Sequence, residues 1–185
     1  LGYRTSLFES IFIDMSGYYS RYEDFIGFEL GVTSDIPAPP FPALPNNTQV
    51  YRVSSNAKDV VYTQGFSIGM NYYFQNYYQI QGNYSYNELI TQSDDPIIPA
   101  FNTPKHKYNI GISGRDIPKL LGIKVPEFGF NINYKWIEGF LFEGSPQFTG
   151  FIPTYDLLDG QINFDIRQIN SVLKIGASNI LDNQV

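Results

Sequence analysis

The sequence predicts an all-β protein, an antiparallel up-and-down sheet belonging to a transmembrane β-barrel, and three observations carry that prediction. The first is alternation. In "FGFNINYKWIEG" the residues Phe128, Phe130, Ile132, Tyr134 and Trp136 share one parity, and Gly129, Asn131, Asn133 and Lys135 the other, which is the pattern of a strand with two unlike faces. The second is that short and long connections alternate, as in barrels with short periplasmic turns and long outer loops. The third is composition: 16% charged and 17% aromatic residues, with 15 Tyr and 15 Phe, suit a sheet whose apolar face meets lipid better than a surface that is wet all round.

Taken in order, Leu1 to Thr5 reads as the tail of a strand. Ile11, Ile13 and Met15 then alternate with Asp14 and Ser16. In "GFSIGMNYYF" Phe66, Ile68, Met70, Tyr72 and Phe74 oppose Ser67, Gly69, Asn71 and Tyr73, and in "YQIQGNYSYN" Tyr78, Ile80, Gly82, Tyr84 and Tyr86 oppose Gln79, Gln81, Asn83, Ser85 and Asn87. Tyr108, Ile110 and Ile112 oppose Asn109, Gly111, Ser113 and Arg115. Leu158, Ile162, Phe164 and Ile166 oppose Asp159, Gln161, Asn163, Asp165 and Arg167, and Leu173, Ile175 and Ala177 oppose Lys174, Gly176 and Ser178. With the opening example this makes about eight strands, most of them near the roughly 9 to 11 residues of a tilted spanning strand. The polar parity predicts a wet lumen face carrying Asn83, Asn131, Asn133, Lys135, Asp159, Asn163, Asp165 and Arg167.

Short connections are expected near Thr5 to Ser10, at Gln75-Asn76 and at Gln168 to Ser171, with a middling one from Ile117 to Pro126. Long ones, Ser34 to Gln49, Gln92 to Lys105 and Phe140 to Thr154, fall between them. A soluble sandwich, with apolar faces packed on each other, has the same periodicity. Two features favour the barrel: the polar face is Asn, Gln, Ser and Gly rather than Lys, Glu and Thr, and Tyr72, Tyr73, Tyr77, Tyr78 and Trp136 cluster at segment ends, where interfacial girdles sit.

Net charge of −6 and a pI near 4.6 argue against a nucleic-acid partner, which calls for clustered Lys and Arg. Without cysteine there are no disulfides or thiolate metal sites. No apolar run approaches the roughly 20 residues of a spanning helix, and "LGYRTSLFES" lacks the basic start and apolar stretch of a signal peptide.

Catalytic and metal chemistry find little support, and no cofactor is indicated. Gly65-Phe66-Ser67-Ile68-Gly69 fits the G-x-S-x-G pattern but lies inside an alternating strand, whereas that nucleophile needs a sharp strand-to-helix turn. His106 is the only histidine, which excludes a multi-histidine site within the chain. Asp94-Asp95 reads as solvated loop surface rather than a cation site. Asp159 and Asp165 read as lumen lining rather than a carboxylate pair. Asn46-Asn47-Thr48 and Asn83-Tyr84-Ser85 fit the glycosylation pattern and mean little in a bacterial barrel. Phe41, Phe101, Phe140, Phe142, Phe148 and Phe151 lie in or beside the long connections; they either stack on a ligand or pack the loops on one another.

The wording of three segments adds a resemblance. "IFIDMSGYYSRYEDFIG" (Ile11 to Gly27), "FNTPKHKYNIGIS" (Phe101 to Ser113) and "TYDLLDGQINFDI…VLKIGASNILDNQV" (Thr154 to Val185) resemble the C-terminal part of the β-barrel of TonB-dependent outer-membrane receptors. Asn102 to His106 is similar to the family's passage from an outer loop into a descending strand, and Gly176 to Asn183 to its penultimate strand. The resemblance implies a transport receptor in the outer membrane of a Gram-negative bacterium, not an enzyme. It would import a scarce, bulky solute such as an iron chelate, a vitamin or an oligosaccharide through a plugged barrel driven by the TonB complex. The partners so implied are outer-membrane lipid, TonB through a plug, and a small-molecule or oligosaccharide ligand. The family's barrel has about 22 strands. Residues 1–185 are therefore expected to be an internal piece of such a barrel, without the plug, the energy-coupling box or the last strand. The competing expectation is a soluble or surface-attached β-sandwich that binds glycans through its loop aromatics.

Overall fold

The structure, a computed structural model, describes residues 1–33, 49–91, 101–120, 123–143 and 149–184. Twelve strands are present among them: β1 (Gly2–Leu7), β2 (Ile11–Tyr22), β3 (Ile26–Thr33), β4 (Gln49–Asn56), β5 (Val61–Phe74), β6 (Tyr78–Leu89), β7 (His106–Leu120), β8 (Ile123–Ile137), β9 (Phe140–Glu143), β10 (Thr149–Ile152), β11 (Tyr155–Ile166) and β12 (Ser171–Ala177). Eight form one antiparallel sheet in the order β1-β2-β5-β6-β7-β8-β11-β12, while β3–β4 and β9–β10 are separate two-stranded ribbons inside the long connections. With the ribbons set aside, every strand pairs with its neighbour in sequence. This is the expected up-and-down meander.

The short turns are tight for a backbone reason. Phe8 and Glu9 have φ of 51° and 58°, and Gln75 and Asn76 have 52° and 60°. Two successive left-handed residues give the turn a twist that matches that of the flanking strands. The third short connection is a 3₁₀ turn, Arg167–Ile169, closed by Asn170 at φ 47°.

Two expectations need correction here. Ile117 to Pro126 is not a connection: β7 runs on to Leu120 and β8 begins at Ile123, with register shifts between Gly114 and Ile117 and between Ile117 and Lys119. Asp116 takes up the irregularity at φ 56°. A bulge puts extra residues into one strand and breaks the phase of the side chains, so the alternation stops although the strand does not. Arg167 does not continue the polar face of β11, because the chain has already left the strand for the 3₁₀ turn.

Register fixes what each face carries. One row across the sheet reads Ile13, Met70, Gly82, Ile110, Tyr134, Leu158, and the next reads Ile11, Tyr72, Ile80, Ile112, Ile132, Gly160. Toward the long connections this apolar face turns aromatic with Tyr84, Tyr108 and Trp136, and toward the short turns with Phe74, Tyr78, Phe128, Phe130 and Phe164. Pairs such as Tyr108–Trp136 and Phe128–Phe164 both stand 5.3 Å apart between ring centroids. Nothing among the described residues covers this face: Ile110 is 55% exposed and Ile132 45%, and only Ala57, Val61 and Ile117 form a buried apolar set. The accessible surface is 13398 Å², against about 9,000 Å² for a compact monomer of this mass. A soluble sandwich would have hidden the aliphatic rows against a second sheet; among the described residues no sheet packs on them.

Candidate functional site

The opposite face collects the amides. Its rows run Gln79, Ser113, Asn131, Gln161, then Asn71, Gln81, Gly111, Asn133, Asp159, then Asn83, Asn109, Lys135. Alternation alone puts these side chains on one side of a pleated sheet, and the register aligns them across strands. Gln79 Nε2 donates to Asn71 Oδ1 at 2.9 Å and to Gln81 Oε1 at 3.3 Å. Nearer the edge at β1, Ser16 and Ser67 share a 2.8 Å hydrogen bond and Arg4 pairs with Asp14 at 2.7 Å.

Glycine makes room for this layer at two points. A Cβ on Gly111 would stand 3.1 Å from Asn133 Oδ1 and 3.2 Å from Gln81 Nε2, and one on Gly129 only 2.6 Å from Asn163 Oδ1. The amides therefore lie down against bare backbone. Further along, the ring of Tyr18 crosses Gly65 to donate its hydroxyl to Asn87 Oδ1 at 3.1 Å.

Of the residues expected on the polar face, Asn83, Asn131, Asn133, Lys135, Asp159, Asn163 and Asp165 are on it, and Arg167 is not. Asp159 is already engaged, since its Oδ1 accepts the Asn179 backbone N–H at 2.9 Å. Asp159 and Asp165 are six residues apart on one strand, roughly 20 Å at strand rise, too far to work as a carboxylate pair. The sequence reading missed the clip that holds this end. Asn183 Nδ2 donates to Asp156 O at 2.8 Å and Oδ1 at 3.0 Å, and the Asn179 side chain holds the Asn183 backbone twice, Nδ2 donating to Asn183 O at 3.0 Å and Oδ1 accepting from Asn183 N at 3.1 Å.

The loop aromatics are not gathered into one place. Phe41 and Phe148 lie outside the described residues, as do Asp94 and Asp95. Phe140 and Phe142 share one face of the β9–β10 ribbon, and Phe151, opposite Leu141, is on the other. Phe142 and Phe151 are 42% and 69% exposed. Phe101 stands beside Asn102, whose side chain clamps the ribbon: its Oδ1 accepts from Glu143 N at 2.7 Å and its Nδ2 donates to Glu143 O at 3.1 Å.

Where the apolar face meets the long connections there is a polar rim. Glu88 accepts from Lys105 Nζ at 2.8 Å, Gln64 Nε2 at 2.9 Å and Tyr86 Oη at 2.5 Å. The hydrogen bond to Glu88 holds the Lys105 ammonium above the ordinary lysine range. His106 shares a 2.6 Å hydrogen bond with Tyr84 through Nδ1. His106 is thus on the apolar side, whereas Ser67 is on the polar side beside Ser16, in mid-strand. The G-x-S-x-G segment lies inside β5 rather than at a strand-to-helix turn, and among the described residues the side-chain partner of Ser67 is Ser16.

A meander of eight strands, six of them 12 to 15 residues long, aliphatic in the middle of one face, aromatic at both of its ends and amide-lined on the other, defines a membrane β-barrel wall. The family model "TonB dependent receptor-like, beta-barrel" matches residues 1–180, and the chain belongs to that family. Its members are outer-membrane receptors and transporters. No curated protein and no solved structure matches the chain.

Proposed function

We propose that this chain is part of the barrel wall of an outer-membrane receptor that imports a scarce, bulky solute through a plugged lumen, driven by the TonB complex. The apolar face is the lipid face, the amide face the lumen, and the long connections the extracellular side. The observation that carries this reading is the register: across the six strands β2, β5, β6, β7, β8 and β11 it lines up the aliphatic rows on one face and the amide rows on the other, with Phe12 and Leu157 among the apolar members of the amide face. Among the described residues β1 and β12 stand at opposite edges of the sheet and do not pair, and an unpaired edge in hydrocarbon costs several kcal/mol per backbone group, so in this reading further strands continue the wall. The family's barrel has about 22 strands, and in this reading the chain is its C-terminal part.

The loop aromatics are the capture surface of this reading, with Phe140 and Phe142 as the paired rings. An iron chelate, a vitamin and an oligosaccharide all remain within the class. The test is accessibility in the full-length receptor in bilayers. Spin labels at Phe130, Ile132, Ile162 and Phe164 are expected to relax with a lipid-soluble quencher, and labels at Asn131, Asn133, Asn163 and Asp165 with a water-soluble one. Equal response of the two sets would refute the assignment of faces.

A further inference from the structure

At the short-turn end the polar face is concave, and strands as far apart as β6 and β12 line one hollow of about 580 Å³. Its polar lining includes Gln79, Ser113, Gln161, Asn163, Lys174 and Arg115, and no carboxylate among the described residues. In a chain of net charge −6 an acid-free hollow holding two cations departs from the average surface. The donors in it are largely uncommitted. Gln79 spends its amide N–H groups on Asn71 and Gln81, but Ser113, Gln161, Asn163 and Lys174 have no side-chain partner among the described residues. Two acids on the same face flank it, Asp165, opposite Val172 with one pair between it and the Asn163–Lys174 pair, and Asp159, two residues from Gln161 and held by the Asn179 N–H; neither forms an ion pair with Lys174 among the described residues. Arg115 is bridged to Asp116 at 3.5 Å with both side chains largely exposed, a contact that water screens to little.

We propose that this hollow is an oxyanion-binding site, taking a carboxylate or phosphate group on Lys174 and Arg115 with the amides of Gln161 and Asn163 and the Ser113 hydroxyl as further donors. An ammonium, a guanidinium and primary amides are donors that match such oxygens, and the volume is that of a small-ligand site rather than a single ion. The inference rests on the amide face being the lumen wall. The oxyanion then has two sources, the solute in transit or an acidic side chain of polypeptide occupying the lumen.

Both are tested on the full-length receptor in detergent, using citrate as the free probe and a water-soluble carbodiimide as a zero-length cross-linker. If the solute is the source, citrate binds by calorimetry, and Lys174→Gln weakens it about tenfold, the loss of one charge-assisted hydrogen bond. Lys105→Gln, on the outer rim, leaves it unchanged. If polypeptide is the source, citrate does not bind, and peptide mapping finds Lys174 amide-linked to a carboxylate other than Asp159 or Asp165. Absence of both signals, or a link to Asp159 or Asp165 alone, would overturn the proposal. A spin label at Asn163 on the same preparation separates the two failures: water exposure with neither signal sinks only the oxyanion site, whereas lipid exposure sinks the assignment of faces.

Discussion

Ile132→Lys and Asn133→Lys, adjacent in β8, are expected to differ by a few kcal/mol in stability, because the two side chains leave the sheet on opposite sides. Ile132 lies in the aliphatic row with Ile80, Ile112 and Gly160, four residues from Trp136 and four from Phe128. At strand rise that is about 13 Å along the strand each way, or roughly 10 Å along the barrel axis at a tilt near 40°. A lysine side chain extends roughly 6 Å, so its ammonium reaches the nearer rings Phe130 and Tyr134, two residues away on either side, but stops short of Phe128 and Trp136 and of the water beyond them. The cost is then about 2 to 4 kcal/mol, the range for a cation near the bilayer midplane, equivalent to roughly 30-fold to 1,000-fold in the folded-to-unfolded ratio at about 1.4 kcal/mol per decade. Lysine at Asn133 joins Asn109, Lys135 and Asp159 on the amide face and is expected to cost under about 0.5 kcal/mol, as surface substitutions do. The assay is equilibrium urea unfolding of the full-length receptor in phospholipid vesicles, followed by heat-modifiable migration on gels. Equal destabilisation by the two lysines, or a larger loss at Asn133, would refute the reasoning about faces.

Two further outcomes follow from local geometry. Gly65→Ala places a Cβ 2.5 Å from the Tyr18 ring and 2.6 Å from the Tyr86 carbonyl; the ring can lift but the backbone cannot, so a loss of about 1 to 3 kcal/mol is expected in the same urea assay, against little change for Gly129→Ala, whose neighbour is the movable Asn163 amide. Asn102→Ala removes both hydrogen bonds to Glu143 and frees the β9–β10 ribbon without touching the sheet, so amide exchange at Glu143 should accelerate at least about tenfold while exchange in β8 stays put.

The sheet was legible because each of its side chains meets one of two very different media. Ile110 and Asn109 are read apart by composition alone, and strands whose faces alternate this sharply announce their own register. Legibility failed where that contrast is absent or interrupted. The bulge at Asp116 shifts the phase of β7, so a strand that continues to Leu120 reads as a connection. The β3–β4 ribbon has residues such as Arg52, Val53 and Ser54 whose alternation is blurred, and β9–β10 carries apolar side chains on both faces, Phe142 on one and Leu141 with Phe151 on the other. Neither ribbon shows the two-sided signature. Asn102, Asn179 and Asn183 act through side-chain contacts 4 to 41 residues away, and no local pattern reports the partner. Proximity to loops groups Phe151 with Phe140 and Phe142, whereas strand parity within the ribbon separates it from them.

The amides that rest on bare glycine bear on friction. Because Gly111 lets Gln81 and Asn133 lie flat, the wall around it, away from the hollow at the short-turn end, has low relief, with similar hydrogen-bonding groups repeating about every 7 Å along a strand and every 5 Å across it. A solute sliding past exchanges one neutral hydrogen bond of about 1 kcal/mol for a near copy, so the ripple it feels is on the order of thermal energy. If this face lines the lumen as proposed, such a surface guides without gripping, the condition under which many weak sites allow passage where one strong site would hold. Filling Gly111 with leucine would turn that even surface into a step, and uptake should slow while capture at the outer loops is unchanged.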